Sequence, residues 1–382
     1  MSGLMLRKPH RHVTACALTW LTLTEGGAFR AAAESGTTPG VQPLPVLERV
    51  DKSSVTVSGL SSGGFFAHQF HVAYSSLVKG AGIMAGGPYA CAEQAPLWLK
   101  YFPNQALTYG LTVCSHILRD KSWLAYWLPD APDPEASSEA VRREHVKGTI
   151  DDPANLVGAR VWLWVGGKDN VVPRATVRAL KQSYELLGVT QVRYVEEERA
   201  NHGLPIEEPA EGGAALACES FGSPFLIDCD YDAAKLLLDH LYQPNFTAAP
   251  AVPSQNNLLR FDQTEFSGAN ETKSSMHSEG YVYVPRGCAT DAQAAVPCRL
   301  HVAFHGCGQS VVTVRDAFFW QAGYNRWAEA NKIVVLYPQL TTRQFNPEGC
   351  WDWWGYSRSD YFVRSGPQMR AVKAMIDRIV GK

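Results

Sequence analysis

Apolar and polar positions along this chain group into short segments that read alternately as strands and helices. Val55 and Val57 alternate with polar neighbours, which predicts a buried strand; Phe65, Phe66, Ala67 and Phe70 then open a helix. Ala159 to Pro173 (ARVWLWVGGKDNVVP) carries an apolar strand into a glycine turn, and Val192 to Val195 forms another strand leading to a polar loop that bears His202. Late in the chain, Cys298 to Ser310 (CRLHVAFHGCGQS) again passes from strand to loop. A helix-like stretch through Trp327 and a strand from Ile333 to Gln339 follow it. Gly366 to Lys382 sets Met369, Val372, Ile376 and Ile379 at helical spacing, as in an amphipathic helix. This alternation predicts an α/β fold with a central, mostly parallel sheet flanked by helices. Residues 243–258, rich in Pro, Ala and Asn, read as a connecting segment.

Composition narrows the class. With 46% hydrophobic and 19% charged residues in 382, the chain can bury a sizeable core and does not resemble a disordered one. A net charge of −2 offers no basic face, so nucleic acid is not an expected partner. No apolar run reaches the roughly 20 residues of a membrane span. Arg7, Lys8 and Arg11 precede the apolar stretch Val13 to Leu23, and Ala31 to Ala33 supply small residues, so residues 1–33 read as an export signal.

Cysteine usage fits export. Cys16 lies inside the signal, which leaves Cys91, Cys114, Cys218, Cys229, Cys288, Cys298, Cys307 and Cys350. An even number suggests disulfides, with Cys218/Cys229 and Cys288/Cys298 as local staples and Cys91/Cys114 and Cys307/Cys350 as the simplest remaining pairs; the spacing leaves the connectivity open. There is no C-x-x-C or H-E-x-x-H run to suggest zinc. His301 and His305 share a strand face but stand about 13 Å apart at strand rise, too far to ligate one metal.

The chemistry starts at Gly59-Leu60-Ser61-Ser62-Gly63, which fits G-x-S-x-G in one frame, between the first strand and its helix. Ser61 is the candidate nucleophile, lifted on a sharp turn that bulkier neighbours would block. Asp169 follows the next apolar strand and His202 the one after. Ser, Asp, His is the α/β-hydrolase order, with His202 taking the Ser61 proton and Asp169 fixing the imidazole. His68 and His71 lie on the elbow helix, which carries them away from Ser61 as packing or surface residues.

A serine hydrolase also needs donors for the oxyanion, one being the N–H after the nucleophile, here Ser62. The second usually comes from a His-Gly loop after an earlier strand. None precedes Ser61, but His305-Gly306-Cys307-Gly308 follows a strand near the other end. The closing amphipathic helix, joined in imagination to the residues before Ser61, reads through as helix, loop, strand and elbow. This predicts a circularly permuted α/β-hydrolase in a single catalytic domain, residues 44–382. Residues 44–242 would carry nucleophile, acid and base, and 259–382 the oxyanion loop.

GLSSGG, GGKDNVVP, ANHG and AFHGCGQS, in this order, resemble the polyhydroxybutyrate depolymerase family, in particular its circularly permuted, single-domain extracellular members. The resemblance runs from about Leu44 onward. It implies a secreted serine esterase cleaving poly(3-hydroxybutyrate) or its oligomers, with Ser61, Asp169 and His202 as the triad and the Ser62 and Cys307 N–H groups as oxyanion donors. No metal or organic cofactor is implied, and a monomer acting on a polyester or oligoester is expected. Glu348 to Phe362 (EGCWDWWGYSRSDYF) is dense in aromatic residues. A Cys307–Cys350 bond would set Trp351 beside the reacting ester. Trp351, Trp353 and Trp354, with His305, are the candidate substrate contacts, against a core-packing alternative. Asp352 and Arg358 read as a loop ion pair. A carbohydrate esterase of the feruloyl or acetyl-xylan type, a hydrolase of soluble hydroxyalkanoate oligomers and a non-catalytic binding protein remain as alternatives.

Overall fold

The alternation around Val55 and Val57 becomes β1 (Thr56–Leu60), a strand with all five residues buried. The computed structural model describes residues 40–382 apart from 103, 208–212, 214, 248, 269–271 and 290–295, so the expected export signal, with Cys16, lies outside the described residues. Chain order continues with β2 (Gly80–Met84), β3 (Arg160–Gly166) and β4 (Gln191–Glu197). Three short strands come next, β5 (Leu204–Ile206), β6 (Leu216–Ala217) and β7 (Leu226–Asp228), followed by β8 (Leu258–Asp262), β9 (Glu279–Tyr283), β10 (Arg299–Phe304) and β11 (Ile333–Tyr337).

Eight of these form one sheet in the order β4-β3-β2-β1-β10-β11-β9-β8, and β5-β7-β6 make a small second sheet that the sequence pattern did not reveal. From β4 to β11 every neighbouring pair is parallel. Strand β9 runs antiparallel to both β11 and β8. At the centre, β1 pairs with β10, setting Thr56 opposite His301, 245 residues later. The last strands of the chain therefore occupy the half of the sheet next to its first.

The two ends of the folded chain also meet. Leu47 N–H donates to Ile379 O at 2.8 Å. Ile379 closes the helix Pro367–Ile379, which buries Met369, Val372, Met375, Ile376 and Ile379 on one face. Helix, entry loop and β1 are thus contiguous in space, which is the circularly permuted α/β-hydrolase arrangement.

Helices cover both sheet faces, so the central strands are buried on both sides. In β3, Val161, Trp162, Leu163, Trp164 and Val165 are all buried. The helix after β1, α1 (Ser62–Ala73), is buried along its whole length, its polar residues included. His68 and His71 enter the core with it, their Nδ1 atoms 3.1 Å from Gly87 O and 2.9 Å from Tyr184 Oη. Burial lowers their pKa to about 4 and about 3. His301, lowered to about 3 by burial, bridges Thr56 Oγ1 and Ser58 Oγ at 2.7 and 2.8 Å. Four disulfides link Cys91–Cys114, Cys218–Cys229, Cys288–Cys298 and Cys307–Cys350. Among the described residues, no helix is long and apolar enough to cross a membrane.

Candidate active site

Four parallel strands end at one edge of the sheet, and each hands its next residues to the same place. Ser61 follows β1, Asp169 follows β3, His202 follows β4 and Gly306 follows β10. This edge, at the carboxyl ends of parallel strands, is where open α/β sheets build their sites.

The turn at Ser61 is sharp. Its backbone takes φ 56° and ψ −122°, a conformation held at a cost for a non-glycine residue. Small neighbours make it possible: a Cβ on Gly59 would lie 2.2 Å from Gly63 O, and one on Gly63 would lie 2.4 Å from both Phe304 O and His305 O. The second contact also shows how closely the elbow presses on the end of β10. Helix α1 begins at Ser62, so its unpaired first-turn N–H groups open beside the serine.

Asp169 and His202 are joined directly. His202 Nδ1–H donates to Asp169 Oδ2 at 2.7 Å, and Asp169 Oδ1 accepts the Val171 and Val172 N–H groups at 2.8 Å each. The carboxylate is buried and its orientation fixed by these bonds. Because Nδ1 carries the proton, the lone pair of the neutral ring lies on Nε2. Backbone bonds hold the two loops together: Gly167 N–H to Glu197 O at 2.7 Å and Lys168 N–H to Ala200 O at 2.9 Å.

The loop after β10 is gripped on several sides. Gly306 N–H donates to Gln309 Oε1 at 2.9 Å, and Gly308 N–H donates to Glu348 O at 2.7 Å. Between them, Cys307 N–H has no hydrogen-bond acceptor among the described residues. His305 is buried, and burial lowers its pKa to about 4, so the ring is neutral. Its Nε2 accepts the Leu340 N–H at 3.3 Å, which leaves Nδ1–H to donate to Gly306 O at 2.8 Å. In a trans peptide the carbonyl and the next N–H point opposite ways. Holding the Gly306 carbonyl back therefore turns the Cys307 N–H forward. Gly306 itself stands against the nucleophile, since a Cβ there would lie 3.5 Å from Ser61 Cβ.

Three of the four expected substrate contacts, His305, Trp351 and Trp353, are enclosed. His305 is enclosed and spends both ring nitrogens on backbone groups. Trp351 is 0% exposed, packed against Phe66, Phe304 and His305. Trp353 is buried and stacks on Phe65. Core packing prevails because the Cys307–Cys350 bond draws this segment inward over α1. Trp354 is part-exposed and lines a 660 Å³ groove with Phe102, Phe345 and Tyr356. Asp352 does not pair with Arg358, which bonds Asp360 instead. Its carboxylate accepts the Trp354, Gly355, Tyr356 and Ser357 N–H groups and the Ser357 hydroxyl, capping the loop.

Most of the exposed aromatic residues among those described lie elsewhere, between Leu97 and Trp127. Trp123, Tyr126 and Trp127 are 70%, 86% and 68% exposed, and Trp98, Phe102, Trp123 and Trp127 line an apolar cleft. Phe102 is shared with the Trp354 groove, so this surface runs continuously to the aromatic loop. The signal was present as the run WLAYW, apolar yet too short and irregular to be a buried helix.

No protein-family model matches the chain. It is 35% identical over 365 residues to a poly(3-hydroxybutyrate) depolymerase of Delftia acidovorans, spanning 95% of this chain and 67% of that protein. It is 32% identical over 344 residues to a polyhydroxybutyrate depolymerase of Talaromyces funiculosus, spanning 87% and 91%. Among solved structures, a PHB depolymerase from Penicillium funiculosum superposes with TM-score 0.73 at 30% identity, covering 89% of this chain and 99% of that one. A serine-to-alanine variant of a PHB depolymerase bound to an R3HB trimer superposes with TM-score 0.74 at the same identity and coverage.

Proposed function

The chain belongs to the polyhydroxybutyrate depolymerase family, and from that premise we propose that it cleaves ester bonds of poly(3-hydroxybutyrate), or of its oligomers, by acyl transfer through Ser61. Membership makes it a carboxylic ester hydrolase of the serine type. The observation that carries the residue assignment is the 2.7 Å bond from His202 to Asp169, made by two loops that end at the same sheet edge as Ser61.

In this reading His202 Nε2 takes the Ser61 proton as the hydroxyl attacks the ester carbonyl. Asp169 stabilises the imidazolium so formed. The oxyanion is received by the N–H groups of Ser62 and Cys307, whose placement before the reaction is what makes such donors effective. His202 then protonates the departing alkoxide. In the second half it activates water, which releases the hydroxyacyl group and restores Ser61. His305 orients the Cys307 N–H without touching substrate, and no metal or organic cofactor enters any step.

Export and domain layout belong to the same reading. Removal of residues 1–33 would release a secreted chain in which 44–382 form one catalytic domain acting as a monomer, and the four disulfides support an oxidising destination. The exposed aromatic surface around Trp123 and Trp127 supports a polymeric rather than a dissolved substrate, because apolar patches of this kind mark docking surfaces.

The test is clearing of a poly(3-hydroxybutyrate) suspension by the purified protein and by Ser61→Ala, with 3-hydroxybutyrate products quantified. Clearing and product release by the parent alone are expected. Hydrolysis of soluble sugar or aryl esters with no effect on the polymer would overturn the substrate assignment, and an active Ser61→Ala would overturn the nucleophile.

A further inference from the structure

Gln309 lies three residues past Gly306 and is buried, yet every polar atom of its amide is used. Oε1 accepts the Gly306 N–H at 2.9 Å, while Nε2 donates to Pro224 O at 3.1 Å and Phe225 O at 3.2 Å. The Phe225 carbonyl also accepts the Leu204 N–H at 2.8 Å, two residues beyond His202. Phe225 and Phe221 are in ring contact, and Phe221 in turn lies against the His202 ring, with centroids 5.6 and 6.2 Å apart. One side-chain amide therefore joins the loop carrying Cys307 to the segment that supports the loop carrying His202.

The geometry points to Gln309 as a positioning residue that sets the Cys307 N–H in its place relative to His202. This rests on the roles proposed above for those two residues. Gly306 is then held from both sides, its N–H by Gln309 and its carbonyl by His305. The peptide between Gly306 and Cys307 has little freedom to turn. A donor aimed at a developing oxyanion acts in the transition state and hardly at all on the bound ester. Loosening it lowers kcat and leaves KM nearly unchanged.

Two variants test the bridge. Gln309→Met keeps the length and loses all three hydrogen bonds. Gln309→Glu keeps an acceptor for Gly306 but turns a carboxylate oxygen toward two carbonyls. With 4-nitrophenyl butyrate as probe, kcat is expected to fall about 10- to 100-fold in both, with KM within about threefold of the parent. A merely structural role would lower the melting temperature and leave kcat at the parent value well below the transition, which overturns the inference. Recovery of kcat in Gln309→Glu but not Gln309→Met would also overturn it, since satisfying Gly306 alone would then suffice. Should Gln309→Met fail to fold, Gln309→Asn takes its place, being one methylene too short to reach both sides. The parent and Ser61→Ala are assayed alongside. An inactive parent or an active Ser61→Ala sinks the underlying reading, whereas an active parent with unimpaired Gln309 variants sinks only the bridge.

Discussion

The Ser62 hydroxyl accepts the Trp351 N–H at 3.3 Å, across 289 residues of chain. The residue before Trp351 is Cys350, bonded to Cys307. Two consecutive residues thus reach both candidate oxyanion donors, one through a hydrogen bond and one through a covalent bond. Asn346 holds that pair in turn, its side chain bonding both the N–H and the carbonyl of Cys350 at 2.9 Å. The two links differ in strength. Ser62→Ala removes one neutral hydrogen bond of about 1 kcal/mol, so kcat is expected to fall no more than about fivefold. Cys307→Ser with Cys350→Ser frees the whole loop, and kcat is expected to fall about tenfold or more. Closing a 43-residue loop also stabilises the fold by about 4 kcal/mol, so kcat is compared well below each melting transition. A disulfide-free variant with parental kcat would assign the bond to stability alone.

Asp169→Asn is expected to cost far more than the loss of one charge. Oδ1 faces two backbone N–H groups, so the amide oxygen of an asparagine must turn toward them. Its NH2 group then faces His202 Nδ1 and forces the proton onto Nε2, where the ring can no longer accept from Ser61. A fall in kcat of about 10⁴-fold is expected with melting behaviour little changed. Loss within about tenfold, measured on a soluble ester, would remove Asp169 from the triad.

Acid should unfold this protein early. His68, His71, His301 and His305 are held by burial at about 4, 3, 3 and 4, all below the 6.5 of a free imidazole. The unfolded chain therefore binds protons the native state refuses. Their contribution to stability is complete above pH 6.5 and is lost as pH falls toward 4. Each group loses about 1.4 kcal/mol per pH unit in that range, so the four together lose roughly 5.5 kcal/mol for every pH unit. Asp352, raised to about 6 by burial, acts in the opposite direction below pH 6 and offsets about one of the four. Urea unfolding followed from pH 7.5 to 4.5 should show a steep decline; a flat profile would mean that the imidazoles are not buried and neutral.

The aromatic surface predicts a change of preference. Trp123→Ala with Trp127→Ala removes two exposed rings from the cleft they share with Trp98 and Phe102. The gain on contact with the polymer is burial of apolar area, about 25 cal/mol for each Å². The ratio of polymer clearing to soluble-ester hydrolysis is expected to drop about tenfold, with adsorption to polymer granules falling in parallel. An unchanged ratio would place polymer contact elsewhere.

Much of the site's frame was legible because it depends on local patterns and chain order. The strand-to-helix passage at Ser61, the loops bearing Asp169 and His202 after their own strands, and the His305–Gly308 loop near the far end each announce themselves within a few residues. What could not be read depends on which faces are later covered. Trp351 and Trp123 sit in equally aromatic runs, yet one lies beneath a disulfide-tied loop and the other on open surface. Asp352 next to Arg358 suggested an ion pair by proximity, while five nearby donors took the carboxylate first. Gln309 carried no recognisable signal, since its partners at 224 and 225 come close only in the folded chain.

The pairing of β1 with β10 also fixes when activity can arise as the chain is made. Ser61 and the strand that presents it emerge early, but the strand completing the sheet beside it is synthesised about 240 residues later. Until then β1 is an open sheet edge and Ser61 lacks the loop that presses against it. Such long-range pairing folds slowly, because distant ends must first be brought together. A nascent or truncated chain is therefore an unarmed one: the site around Ser61 closes only when the late strand β10 has joined the sheet beside it.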